Sequence, residues 1–456
     1  MPRRPYNSTK RTVHPFEAME DQTVTARLLL CMALIGLAPL LASAQPDARA
    51  ADTVNQLTPA EKAAGWQLLF DGKTTAGWRG YKMSSFPEDG WIVEDGCLKT
   101  AAGQHARDII TVDQYPDFEL ALEWSIPPHG NSGIMYHATE KHDWSWQTGP
   151  EYQILDDPAY GFPPAGLQST GAVYGLFGPS DKKTVAPVGE FNKSRIRLKD
   201  GRLTHWLNGV KIVECRIDDD EWKQRIAKSK FAGYEGFGVQ PKGHIALQHH
   251  GNAVSFRNIK IRDLSAPLPG EVRLFNGKDL TGWAAHLDGD ARMEDVWRVA
   301  DGVLICRGNP AGYIYTKADY TNYVLKLEWR FDPAKGPGNS GVLLRVIGEH
   351  KVWPRSVEAQ LQSGNAGDFW NIDEFPMKTD PQRTSGRNTK KTHFAEYPVG
   401  EWNEYEIIVD GGSVILNVNG EELNRAWDVL ETPGKIGLQS EGAEIHFRNI
   451  RLAPIK

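Results

Sequence analysis

Cysteine is scarce in this 456-residue chain: Cys31, Cys97, Cys215 and Cys306 are all there are, and no two form a C-x-x-C pair. That count excludes a disulfide framework, and the spacing excludes a zinc knuckle. Runs of one charge sign are also missing. The 52 Lys and Arg are dispersed among 58 Asp and Glu, leaving a net charge of −6. A mildly acidic chain without basic clusters argues against nucleic acid or an anionic membrane as partner. The one long apolar run, Leu28–Leu41, is shorter than the roughly 20 residues that span a bilayer. No G-x-S-x-G, Walker-type or H-E-x-x-H pattern occurs, so a nucleophile elbow, a phosphate loop and a zincin helix are all excluded. Helical periodicity is nearly absent; the best short helix is Asp219–Lys228, with the acidic residues before it as its N-cap.

The apolar run follows Arg27 and precedes Ala42-Ser43-Ala44, the layout of a secretory signal peptide cleaved after Ala44. The expected address is therefore periplasmic or secreted, with Met1 and Met19 both open as the start. Cleavage leaves three cysteines, read either as buried thiols or as a Cys97–Cys215 bridge plus one. Glycine (45), proline (28) and tryptophan (15) are abundant. The first two suit many short strands joined by turns; the third suits a large core or a sugar-binding surface.

The chain repeats itself. Leu69–Trp78 (LFDGKTTAGW) answers to Leu274–Trp283 (LFNGKDLTGW), and Trp91–Leu98 to Trp297–Leu304. Phe118–Trp124 matches Tyr323–Trp329, Asn131-Ser-Gly133 matches Asn339-Ser-Gly341, and the FRNI segments at Phe256 and Phe447 close each copy. Ordered matches over about 200 residues mean two homologous domains, not a solenoid. The division expected is a signal peptide with N-terminal extension (1–44), a leader (45–59), a first domain (60–265) and a second, divergent copy (268–456), joined by a Pro-rich linker. The matched segments draw closer together after Gly189 and Gly400, so the first copy carries an insertion, roughly Arg216–Lys242. Alternating segments such as Glu119–Trp124 and Leu203–Leu207, punctuated by turns such as Asn208-Gly209 and Asn419-Gly420, read as strands and hairpins. The fold class expected is all-β: two tandem jelly-roll sandwiches.

The ordered set LFDGKT…GW, NSGI, EYQILD, HWLNG and IALQ-x-HG…FRNIKI resembles the bacterial 3-keto-disaccharide hydrolase domain family over nearly all of residues 60–265, and more loosely over 268–456. That family is similar in fold to concanavalin A-like lectins and glucanases. The resemblance implies an exported enzyme that cleaves sugars already oxidised to a ketone at C3. The family commonly reads Leu-Gln-Asp-His-Gly near the end of the domain; here His249 stands in place of the acid.

A 3-keto sugar has an acidified C2–H. A base can remove it, the enolate expels the C1 substituent, and water adds, completing a net hydrolysis. Such a site needs a base, an electrophile for the enolate oxygen and an acid for the leaving group. In Glu151-Tyr-Gln153-Ile-Leu155-Asp156 the strand period puts Glu151 and Gln153 on one face. Glu151 is the expected base and Gln153 the orienting group; a Gln at that place disfavours a two-carboxylate mechanism. Histidines separate the copies: His137 aligns with Arg345, His205 with Leu416, and His249-His250 with Ser440-Glu441. A cluster of Glu151, His205 and His250 is expected on the open face as acid and base, or as ligands of one divalent metal ion, with His137 as a further catalytic candidate. Trp144, Trp146, Asp156, Gln248 and His249 are the substrate-binding candidates. The tryptophans shared by both copies are assigned to the core. The first copy is expected to be catalytic, and the second to bind carbohydrate or form a lid. A tandem lectin-like module and a conventional glucanase are the rival readings.

Overall fold

The computed structural model describes residues 54–103 and 106–456. The proposed signal peptide and most of the leader lie outside the described residues. Residues 54–456 build two antiparallel sandwiches in tandem. In the first, an eight-stranded sheet runs in the order Val210–Arg216, Arg202–Leu207, Asn192–Lys199, Phe118–Ser125, Ser255–Asp263, Cys97–Thr100 and Trp91–Glu94, with Gln67–Leu68 added at Ser255–Asp263. A five-stranded sheet, Trp78–Gly80, Ile109–Thr111, His244–Leu247, Asn131–Ala138 and Glu151–Leu155, covers its inner face. The second sandwich repeats the plan with nine and eight strands.

Alternation decides which side chains meet between the sheets. Leu120, Leu122 and Trp124 of one strand pack with Ile134, Tyr136, Tyr152, Ile154, Ile245 and Leu247 from the opposite sheet. Trp78, Trp91 and Trp124 are buried here, and their partners Trp283, Trp297 and Trp329 occupy the second core. The hairpin tips take the backbone that their residues suit: Asn208 and Gly209 have φ of 49° and 83°, the paired left-handed conformation of a two-residue turn. Within the insertion, Asp220–Ala227 is helical and the Asp219 side chain accepts from Trp222 N at 2.8 Å. Cys97, Cys215 and Cys306 are free thiols, so no Cys97–Cys215 bridge forms.

The two sandwiches meet through the outer faces of their larger sheets, and the contact is ionic. Glu119, 1% exposed, pairs with Arg195 at 2.9 Å and Arg262 at 2.8 Å. Arg262 also reaches Glu406 of the second copy, Arg197 reaches Glu404 at 2.8 Å, and Lys211 reaches Glu421 at 2.9 Å. Burial alone would raise the Glu119 carboxyl, but Arg262, Arg195 and Arg197 beside it hold it at about 2. The order of layers is thus small sheet, large sheet, large sheet, small sheet. The two smaller sheets turn their free faces away from each other. The lid role considered for the second copy fails on this geometry, because its sheets stand behind the first copy's site.

Candidate active site

The free face of the five-stranded sheet gathers the polar residues of the first sandwich. On Glu151–Leu155, Tyr152 and Ile154 point into the core, so Glu151 and Gln153 point out. The neighbouring strand pairs Met135 with Glu151 and Gly133 with Gln153. Gly133 leaves a notch into which the Glu151 carboxyl folds; a methyl group there would collide with it. Asn131-Ser-Gly133, the tripeptide shared by both copies, is therefore the strand start that makes room for the acid. Gln153 Nε2 donates to Asn131 Oδ1 at 3.5 Å, while its buried Oε1 has no hydrogen-bond partner among the described residues. Asn131 Nδ2 lies 3.4 Å from Nδ1 of the exposed His250. Half-buried Gln248 follows the adjacent strand, its backbone N–H bonded to Gly133 O at 3.0 Å.

Electrostatics single out Glu151. It is 8% exposed, and burial pushes its carboxyl up to about 8. Lys230 works in the opposite direction on that carboxyl, and Asp108 reinforces the rise. Lys230 comes from a short turn of helix, Lys230–Gly233, inside the insertion. Its Nζ lies 4.3 Å from the Tyr174 ring centroid, 4.9 Å from that of Trp146 and 5.2 Å from that of Phe231. Burial lowers the lysine, and Glu151 offsets part of that. A cation held against three aromatic faces beside a protonated carboxyl is a built arrangement. Asp108 follows the same outward alternation as Ile110, but it is sealed: Ser145 Oγ donates to its Oδ2 at 2.5 Å and His249 N to its Oδ1 at 3.0 Å. Burial pushes it up to about 6.

The remaining expectations divide. Trp146 belongs to the face, packed beside Met135 and Ala246 and at 5.3 Å edge-on to Tyr234. Trp144 is exposed at the outer end of the same loop, with the Arg107 guanidinium 4.8 Å over its ring. His205 is misplaced by the sequence reading. It shares its side of the strand with Leu203 and Leu207, and so points into the core. There its Nδ1 donates to Gly171 O at 3.0 Å and its Nε2 accepts from Tyr136 Oη at 3.2 Å; burial pushes it down to about 4. His137 sits at a strand irregularity with φ of 52°, its Nε2 donating to Pro116 O at 2.7 Å, and it too stays off the site. Arg345 repeats that irregularity with φ of 51°, so the position serves the backbone in both copies. His249 is buried edge-on to Trp91 at 5.9 Å, and Asp156 ties down the His129 backbone N–H at 2.8 Å beside a separate groove that includes Trp124. Neither faces the substrate side. With His205 in the core, the proposed metal trio of Glu151, His205 and His250 does not assemble. No group of three His, Cys, Asp or Glu among the described residues forms a metal site.

Sequence reasoning missed Lys230, Asp108 and Tyr174. For Lys230 one signal was present: it lies in the segment that the second copy lacks.

A family profile described as a 3-keto-alpha-glucoside-1,2-lyase-like domain matches residues 65–262 and again 270–453. The chain is also similar to a 3-keto-disaccharide hydrolase of Bacteroides thetaiotaomicron, 32% identical over 234 residues, or 44% of this chain and 79% of that one. Two crystal structures from Parabacteroides distasonis, both described as candidate glycosyl hydrolases, align with it. One is 37% identical, covers 46% of this chain and all of its own, and has a TM-score of 0.43. The other is 29% identical, covers 44% of this chain and 99% of its own, and has a TM-score of 0.35.

Proposed function

Because the chain belongs to the 3-keto-alpha-glucoside-1,2-lyase-like family, as a glycoside-acting hydrolase, we propose that its first sandwich cleaves 3-keto-glycosides, 3-keto-disaccharides among them, by elimination and hydration. The observation that carries the reading is Glu151, a buried carboxyl with Lys230 alone as opposing charge, on a face that also presents amides and aromatic rings. A carboxylate of ordinary basicity is a poor base toward carbon. Burial to about 8 narrows the gap to the C2–H of a ketone.

In this scheme the ring lies over Gly133 with C2–H toward Glu151. The carboxylate takes the proton, and the electron pair moves to the C3 oxygen, where Lys230 balances the enolate charge. Collapse of the enolate forms the C1–C2 double bond and breaks C1–O; the leaving oxygen takes a proton from His250 or water at the open rim. The Glu151 proton exchanges with solvent as the leaving group departs, and water then adds at C1 while C2 takes a proton from the exchanged carboxyl. Gln153, through its free Oε1, and Gln248 orient ring hydroxyls, and Trp146 stacks at one edge. The roles first given to His205 pass to Lys230 and His250.

The glucanase alternative finds less support. Gln153 stands where a second exposed carboxylate would be needed, and Asp108 is closed under Ser145. The apolar segment Leu28–Leu41 supports export to the periplasm or beyond.

Incubating the mature chain with a 3-keto-disaccharide and with its unoxidised parent, each with and without chelator, tests the reading. Cleavage of the keto sugar alone, unaffected by chelator, is expected, with deuterium from solvent at C2 of the product. Cleavage of the parent sugar, or product free of deuterium, would overturn the mechanism.

A further inference from the structure

The second sandwich lacks Lys230 and the insertion that carries it, yet its free face keeps the notch. Glu358 and Gln439 take the places of Glu151 and Gln248, and a methyl group at Gly341 would collide with both side chains. Gln439 is fully buried. It lies against the Glu358 carboxyl, but among the described residues neither atom of its amide makes a hydrogen bond of good geometry. Donors and acceptors buried without partners are costly, and a ligand that completes them would recover that cost.

What surrounds this floor has changed chemistry. Strand register puts Tyr313 beside Gln439 and Tyr315 beside Gly437, where the first copy has Asp108 and Ile110. Tyr315 stacks on His350 at 4.2 Å, and Tyr313 Oη meets His350 Nδ1 at 2.6 Å. On the other flank Trp370 pairs directly with Glu358 and is half exposed. Glu441 replaces His250; burial, reinforced by the Glu441 carboxyl, pushes Glu358 up to about 8, so it is mostly protonated at neutral pH. The site therefore has a neutral floor that donates and accepts hydrogen bonds, aromatic walls on two sides, and no lysine in place of Lys230.

We propose that the second sandwich holds a saccharide ring in this notch, between Trp370 and the Tyr315–His350 stack, without cleaving it. A protonated carboxyl and a free amide match the donor-and-acceptor pattern of adjacent hydroxyls, and the flat walls match the C–H faces of a pyranose. Lys435 on the same face is paired with Asp319 at 2.8 Å, and no cation acts on Glu358 as Lys230 acts on Glu151, so the site binds and does not react. The sugar class rests on the family reading, but the binding does not rest on cleavage by the first copy.

The test uses the full chain carrying Glu151→Gln, so that no sugar is consumed. A 3-keto-disaccharide and its unoxidised parent are titrated in turn by calorimetry and by tryptophan fluorescence. Adding Trp370→Ala, and separately Glu358→Gln, should remove one bound equivalent or weaken it at least tenfold. Trp370→Ala in the chain with Glu151 intact should leave kcat/KM on a soluble disaccharide within twofold. Unchanged stoichiometry and affinity in both variants, or no binding of either sugar to the Glu151→Gln chain, would overturn the proposal. Loss of turnover on Trp370→Ala would also overturn it, because the notch would then serve catalysis. Turnover by the wild type is a separate readout, so the cleavage reading and this one fail independently.

Discussion

Replacing Glu151 by Gln should make the first sandwich more stable while abolishing its activity. The carboxyl sits at about 8 in the folded chain against an ordinary 4.5. A group raised in this way contributes stability that is fully present below the unfolded value and is lost as pH rises toward the folded one. Between 4.5 and 7 the unfolded chain ionises Glu151 and the folded chain does not. At 1.36 kcal/mol per pH unit, about 3 kcal/mol has gone by pH 7. Glutamine has nearly the same shape and cannot ionise, so it restores that amount. For a sandwich of this size the gain corresponds to roughly 6–10 °C in Tm. Calorimetric scans of both proteins from pH 4 to 9, read beside the turnover rate, check the reasoning. The two Tm curves should coincide near pH 4 and separate progressively to a plateau above pH 8, with turnover absent from the variant throughout. Parallel curves, or a variant less stable at pH 7, would refute a protonated Glu151 in the folded state.

Two further outcomes follow from neighbouring charges. Lys230→Met removes the group that opposes the rise of Glu151, so the ascending limb of the kcat/KM–pH profile should move above 8, with kcat down about 10²–10³-fold as for a lost oxyanion partner; an unmoved limb would separate Lys230 from the acid. Glu119→Gln removes the carboxylate that Arg195 and Arg262 share at the ionic seam, leaving Arg262 with Glu406 alone, and should cost about 2–3 kcal/mol in urea unfolding. Because Glu119 is held at about 2, its contribution is present above 4.5 and lost as pH falls toward 2, so the wild type should approach the variant in that window. A constant difference across acid pH would contradict the pairing.

Much of the scaffold was legible because period-two alternation and turn chemistry are local. The duplicated tryptophans, the Asn208-Gly209 tip and the outward pair Glu151 and Gln153 all follow from it. His205 was legible too, had the two faces of its strand Leu203–Leu207 been assigned: Leu203 and Leu207 flank it on one side, and Trp206 faces out under the Arg195 guanidinium at 3.7 Å. A polar residue between two core leucines is a core residue, whatever chemistry its ring could perform. Lys230 was not legible in the same sense, because only the tertiary course of the insertion lays it against Trp146 and Tyr174. The two copies make the division concrete. Gly133 and Gly341 are fixed by the acids folded over them, so both copies retain them. The groups around each acid come from loops and neighbouring strands that bear no such load: Lys230 and Asp108 in one copy, Tyr313, Trp370 and Glu441 in the other. Divergence concentrates where packing does not forbid it, and the residues that differ between two like floors are the ones that set what each floor can do to a sugar.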